Sequence, residues 1–341
     1  MLYETRRVGQ RLGGRYELLG LIGSGSTSDV YLADDHEDGQ LVIVKHLKGE
    51  VAGHEEIRKR FLAEARTTMS ITHPNVVRVL GVEQSEDERP YLVLEALVGE
   101  SLGEYLQREE SVPPGLALEL ARQIASGLAA GHRAGVVHRD VKPGNLFLLG
   151  PAGDPQGLKL IDFGYAKQID RGPMSTANVV IGTAQYMAPE QVLCDPIDAR
   201  TDIYALGVVM FRMLTGHLPF DADPGADLLS HQLFSPAPPP SWLEEDLDPR
   251  VEAIVLRAMR KHPDNRYSSM DALLSDLDRV LEPHPGSESE SIPRVPLAKF
   301  PDVYKPKNPM GREVARVLAS RFGAEPPLPP STHLPPIDEQ E

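Results

Sequence analysis

The stretch His138-Arg139-Asp140-Val141-Lys142-Pro143-Gly144-Asn145, with Ile161-Asp162-Phe163-Gly164 downstream of it, constrains this chain more than any other. Between the two lie Leu146-Phe147-Leu148-Leu149, a polar turn from Gly150 to Gly157, and Leu158-Lys159-Leu160-Ile161. Two short apolar runs around a Gly/Pro/Asp loop predict a β-hairpin. Such a hairpin sets Asn145, just before its first strand, and Asp162, just after its second, at one end. Both side chains offer hard oxygen donors of the kind magnesium takes. Asp140 adds a carboxylate able to accept a proton from an attacking hydroxyl. Alone, Asn145 or Asp162 reads as an ordinary turn cap; the ordered set reverses that weighting.

The rest of the chain divides by pattern. Tyr16 to Ile22, Val30 to Ala33 and Leu41 to Leu47 read as strands, the first two flanking Gly23-Ser24-Gly25-Ser26-Thr27-Ser28. Ile57, Phe61, Ala65 and Met69 recur at helical spacing, which predicts an amphipathic helix carrying Glu64. Strands follow near Val76 to Val82 and Tyr91 to Glu95. Beyond Gly99 the pattern turns helical, most clearly over Leu116 to Ala134, Thr201 to Thr215, Pro249 to Arg260 and Ser269 to Leu281. A β-rich first part and a helical second part make an α+β protein of two lobes. From Glu282 onward Pro, Ser and Glu dominate, a linker or disordered composition. Within it Gly311 to Phe322 carries Val314, Val317, Leu318 and Phe322 at helical spacing.

A chain of 341 residues buries a full core. Its formal charge of -15 argues against nucleic acid or an anionic membrane as the main partner, because counterion release needs a basic surface. The single cysteine, Cys194, excludes an intramolecular disulfide and fits a reducing compartment. No run of about 18 apolar residues and no apolar signal core near Met1 are present, so the expectation is a cytoplasmic protein without a membrane anchor.

Taken in order, these motifs resemble the eukaryotic-type (Hanks-type) serine/threonine protein kinase family over about Tyr16 to Leu281. His73-Pro74-Asn75, the run Gly182 to Glu190 and Asp202-Ile203-Tyr204-Ala205-Leu206-Gly207 are similar to its bacterial members in particular. The resemblance implies a two-lobed kinase domain over residues 16–282, with the small lobe at about 16–97 and the larger at about 98–282. Residues 1–15 form an N-terminal extension and 283–341 a Pro-rich tail. It implies transfer of the ATP γ-phosphoryl group to protein Ser or Thr hydroxyls, with Mg²⁺ or alternatively Mn²⁺, in bacterial signalling. Asp140 is then the catalytic base and Lys142 a cation on the transferring group. Asn145 and Asp162 become the metal ligands. ATP is expected to contact Ile22, Gly23, Gly25, Val30, Lys45, Glu95 and Leu97, with Glu64 as the ion-pair partner of Lys45.

Further expectations come from the same resemblance. Arg139 grips a phosphate on the activation segment, where Ser175 and Thr176 are the candidate acceptors, phosphorylated by an upstream kinase or by a second copy in trans. Thr183 and Asp202 support the catalytic loop, His138 packs beneath it, and Glu190 pairs with a buried Arg266. Two departures stand out: Ile43 replaces the family's alanine and narrows the adenine pocket, and Ser28 replaces a third glycine, its side chain expected to point to solvent. Two other classes stay open here. A pseudokinase scaffold is disfavoured by the full set Lys45, Glu64, Asp140, Asn145 and Asp162. A small-molecule kinase is disfavoured by the Gly182 to Glu190 run, which resembles a peptide-docking platform.

Overall fold

The computed structural model describes residues 7–25, 27–163, 184–220 and 226–282. They form two compact units, one holding the chain up to Tyr105, Ser126–Arg139 and the segment from Pro143, the other Leu106–Ala125, Asp140–Lys142 and the later helices. The tail helix expected at Gly311 to Phe322 lies outside the described residues.

The first unit is built on an antiparallel sheet of six strands: β1 (Arg11–Leu12), β2 (Tyr16–Ser24), β3 (Ser28–Asp35), β4 (Gln40–Leu47), β5 (Val79–Gln84) and β6 (Pro90–Glu95). Their spatial order is β1-β2-β3-β4-β6-β5. Alternation along β4 explains the two faces. Val42 and Val44 point into a core with Leu12, Tyr16, Leu18, Tyr31, Ala33, Tyr91 and Val93. Leu47 faces the other way and packs with Leu92 against Phe61 and Ala65. The last two belong to α2 (Glu55–Met69), which follows the single-turn helix α1 (Gly49–Ala52). Lys45 shares the face of Leu47, because residues two apart on a strand point the same way.

Two-residue β1 precedes the point where the sequence pattern begins. Arg11 and Leu12 pair with Glu17 and Tyr16, and Leu12 is 1% exposed. A second sheet orders β7 (Gly99–Ser101), β8 (Leu146–Leu149) and β9 (Gly157–Leu160). The hairpin read from the sequence is thus present, with Leu146 opposite Leu160. Strand β7 is a departure from the helical pattern read beyond Gly99; its partner is the open edge of β8. Helix α3 (Leu102–Arg108) follows directly, and α4 (Pro114–Arg133) comes after it. Close approach of other elements forces two glycines in the second half of α4. A Cβ at Gly127 would lie 2.4 Å from Leu160 Cδ1, and one at Gly131 would lie 2.3 Å from Phe163 Cε1.

The second unit is helical, with α5 (Pro189–Val192), α6 (Ala199–Thr215), α7 (Ala226–Phe234), α8 (Pro249–Ala258) and α9 (Met270–Leu281). Helix α6 is apolar nearly all round and buried from Thr201 to Phe211, as a central helix must be. Its ends are defined locally. The Asp198 side chain accepts from Arg200 N at the start, and Gly216 takes φ 74° at the close. Asp248 and Ser269 cap α8 and α9 in the same way.

Candidate active site

In the first unit, sheet register aligns several of the predicted residues. Gly23 lies opposite Val30, and Val30 opposite Lys45. Ile43, next on that face of β4, pairs with Leu94 of β6. The glycine-rich turn is closed by Gly25 N donating to Ser28 O at 2.8 Å. Ser28 itself is a correction: it begins β3 and is 5% exposed, not turned to solvent. Pairing with Leu47 sets its direction, toward the face that Leu47 shares. Ile22 is 58% exposed, while Val30 and Leu97 are half-buried. The Glu95 side chain is used within the fold: its Oε1 accepts from Lys159 Nζ at 2.6 Å and from Arg78 N at 2.7 Å.

Lys45 Nζ donates to Asp162 Oδ1 at 2.7 Å. The ammonium is mostly buried, whereas the Asp162 carboxylate is 38% exposed. The Glu64 side chain lies outside what the structure describes. Ile161 N donates to Asn145 O at 3.0 Å, which adds one rung to the β8/β9 ladder and sets Asn145 beside the residue preceding Asp162. Asp162 has φ 58°, and the neighbouring carbonyls are held from outside: His138 Nε2 donates to Ile161 O at 3.1 Å, and Thr68 Oγ1 to Phe163 O at 2.9 Å. Spacing puts Thr68, three residues after Ala65, on the buried stripe of α2, unlike Thr67, but its carbonyl partner is 95 residues away and escapes sequence reading. The Phe163 ring is fully buried, edge-on to His138 at 4.8 Å. His138 is therefore a packed support, as expected.

This donor set suits a hard cation shared with phosphate. Among the described residues no group of three or more His, Cys, Asp or Glu side chains is arranged to hold a metal. Asn145 and Asp162 supply two oxygen donors, and magnesium characteristically fills the remaining positions with substrate phosphate and water.

In the second unit, Lys142 Nζ donates to both Asp140 oxygens, at 2.8 and 3.1 Å, so the expected base and its cation are in contact. Both remain about a quarter exposed. Glu190 and Arg266 form the expected buried pair through two parallel bonds of 2.7 and 2.8 Å. Thr201 Oγ1 adds a donor to Glu190, and Arg266 also donates to the carbonyls of Arg200, Arg260 and Lys261. Asp202 is fully buried on α6. Gln232 Nε2 donates to Gln185 O at 2.7 Å and anchors the start of the Ala184 to Glu190 run. Burial pushes the neighbouring Tyr186 hydroxyl up to about 12. Gly164, Ser175, Thr176 and Thr183 lie outside the described residues.

The family model described as "Protein kinase domain" matches residues 16–277. This chain belongs to the eukaryotic-type serine/threonine protein kinase family. The kinase domain is 38% identical over 279 residues to the serine/threonine-protein kinase Pkn1 of Myxococcus xanthus, an alignment covering 81% of this chain and 40% of that one. It is 39% identical over 267 residues to the serine/threonine-protein kinase PknA of Mycobacterium tuberculosis, covering 77% and 60% respectively. The crystal structure of the M. tuberculosis PknI kinase domain shares the fold, with a TM-score of 0.62 at 24% identity, covering 80% of this chain and 97% of that one. The chain spans 39 to 51% of the length of three of the curated relatives it matches. Kinase domains of this family use ATP and a divalent metal. Among the described residues, no helix of this kinase is long and apolar enough to cross a membrane.

Proposed function

We propose that this protein transfers the γ-phosphoryl group of Mg-ATP to Ser or Thr hydroxyls of protein substrates, in cytoplasmic bacterial signalling. The observation that carries the reading is the Lys45–Asp162 contact of 2.7 Å at the end of a hairpin that also presents Asn145. Asn145 and Asp162 would hold a cation of Mg²⁺ type, which would supply charge neutralisation to the nucleotide phosphates. Lys45 places a fixed positive charge beside its carboxylate ligand. Ile22, Gly23, Gly25 and Val30 bound the nucleotide on the β2/β3 side, and the backbone at Glu95 and Leu97 takes the adenine edge.

Asp140 orients the acceptor hydroxyl. As oxygen bonds to the γ-phosphorus, the bond to the bridging β–γ oxygen breaks, ADP leaves, and the proton passes to Asp140 late in a loose transition state. Lys142, already hydrogen-bonded to Asp140, neutralises charge on the transferring group. Control through Ser175 and Thr176, phosphorylated in trans or by an upstream kinase and gripped by Arg139, belongs to the same proposal.

The test is transfer of labelled γ-phosphate by the purified full chain, to itself and to a generic protein, beside Asp140→Asn. Transfer by the wild type and loss of at least about a hundredfold in the variant is the expected outcome. Phosphosite mapping of the product then asks for Ser175 or Thr176. Transfer that survives Asp140→Asn unchanged removes the base from Asp140. No transfer despite nucleotide binding leaves a scaffold.

A further inference from the structure

Asp162 sits between two braced carbonyls. His138 holds Ile161 O, and Thr68 holds Phe163 O. The φ of 58° at Asp162 is left-handed, a conformation that costs most L-residues and that Asp adopts more readily than most, with local hydrogen bonding holding it. Packing holds the Phe163 ring, which is fully buried, edge-on to His138 and so close to Gly131 that a Cβ there would lie 2.3 Å from it. The Phe163 carbonyl is held separately from the ring, by Thr68. Adjacent Thr67 is exposed and donates back to Ala63 O at 2.8 Å, one turn earlier on its own helix. Thr68 is 4% exposed, and its hydroxyl reaches beyond the helix to a carbonyl distant in sequence.

We propose that Thr68 is a positioning residue for the cation ligand: its hydroxyl holds the Phe163 carbonyl so that Asp162 keeps its turned backbone and presents its carboxylate. The inference rests on the reading of Asp162 as a metal ligand. Thr68 touches neither nucleotide nor cation in this scheme and acts on Asp162 through the Phe163 carbonyl. Without that donor the buried carbonyl loses a partner and Asp162 gains competing backbone conformations, so the cost falls on cation affinity. The apolar contacts of the nucleotide are untouched.

Three substitutions separate hydroxyl from shape. Thr68→Val keeps the volume and loses the hydroxyl, Thr68→Ser keeps the hydroxyl and loses a methyl, and Thr68→Ala loses both. Mn²⁺ is titrated into the full chain holding a non-hydrolysable ATP analogue, and free Mn²⁺ is followed by electron paramagnetic resonance, with thermal melting alongside. Val and Ala are expected to weaken Mn²⁺ by about tenfold while Ser stays within about twofold, and metal-free nucleotide affinity stays unchanged in all three. Val behaving as wild type, or Ser weakened as much as Ala, overturns the inference. Should Val fail to fold, the Ser and Ala comparison decides alone. A wild type that takes up no Mn²⁺ beside the nucleotide overturns instead the metal site itself, and with it the inference.

Discussion

Asp162 and Glu190 each face a cationic side chain at 2.7 Å, yet the two carboxylates live in opposite surroundings. Glu190 is 2% exposed and Arg266 fully enclosed, with Thr201 and three backbone carbonyls completing the hydrogen bonding. Asp162 is 38% exposed. Separation alone therefore says nothing about role. A buried pair whose hydrogen bonds are made from every side is a fastening, and breaking it strands a charge in a low-dielectric interior. A carboxylate open to solvent beside an enclosed ammonium can take a further ligand, which phosphoryl transfer requires and a fastening forbids.

The largest expected effect breaks the comparison on its open side. Asp162→Asn should reduce phosphoryl transfer by about a thousandfold, the order set by several kcal/mol of lost charge stabilisation, while costing less stability than Glu190→Gln because the Asp162 carboxylate is 38% exposed. Steady-state transfer and urea unfolding on one preparation check both halves. Equal loss of stability in Asp162→Asn and Glu190→Gln would erase the distinction. On the enclosed side, Glu190→Gln should cost about 3–5 kcal/mol of stability and leave turnover per folded molecule largely intact. Replacing Glu190 and Arg266 together by apolar residues of similar size should cost less than either single change, since neither charge is then left unpaired.

The next effect contrasts Lys45 with its neighbour on β4. His46 faces the opposite way, 2% exposed, with Nε2 3.1 Å from Ser85 Oγ. Burial, aided by the Arg7 charge, pulls its imidazole down to about 4. The folded value lies below the ordinary one near 6.5, so the unfolded chain takes up the proton first. Stability from this group is complete above about pH 6.5 and is lost as pH falls toward 4, by on the order of 2–3 kcal/mol. His46→Gln should flatten that part of the profile in unfolding titrations between pH 7 and 4, and an unchanged slope would assign the loss to other groups.

Legibility from sequence follows the same divide between local pattern and distant contact. The β8/β9 hairpin was readable because two apolar runs flank a turn-rich loop, and it alone sets Asn145 and Asp162 at one end. The α2 stripe was readable because Ile57, Phe61 and Ala65 share one face. Strand β7 was not, since Gly99-Glu100-Ser101 carries no strand preference and pairs only because β8 offers an edge. The burial of Ser28 depends on its register with Leu47, which the glycine count of the loop does not encode. Thr68 and Gln232 became visible only through carbonyls far along the chain. Residue types and spacing announce chemistry, while the groups that hold it in place are chosen by tertiary contact.

Leu12 carries a practical consequence. The family match begins at residue 16, so a fragment trimmed to that boundary would discard a side chain sealed among Tyr16, Leu18 and Tyr91. It would also uncover the β2 edge that Arg11 and Leu12 now occupy, giving another molecule a strand to pair with. Poor yield or clumping of such a fragment would then report the cut, not the enzyme.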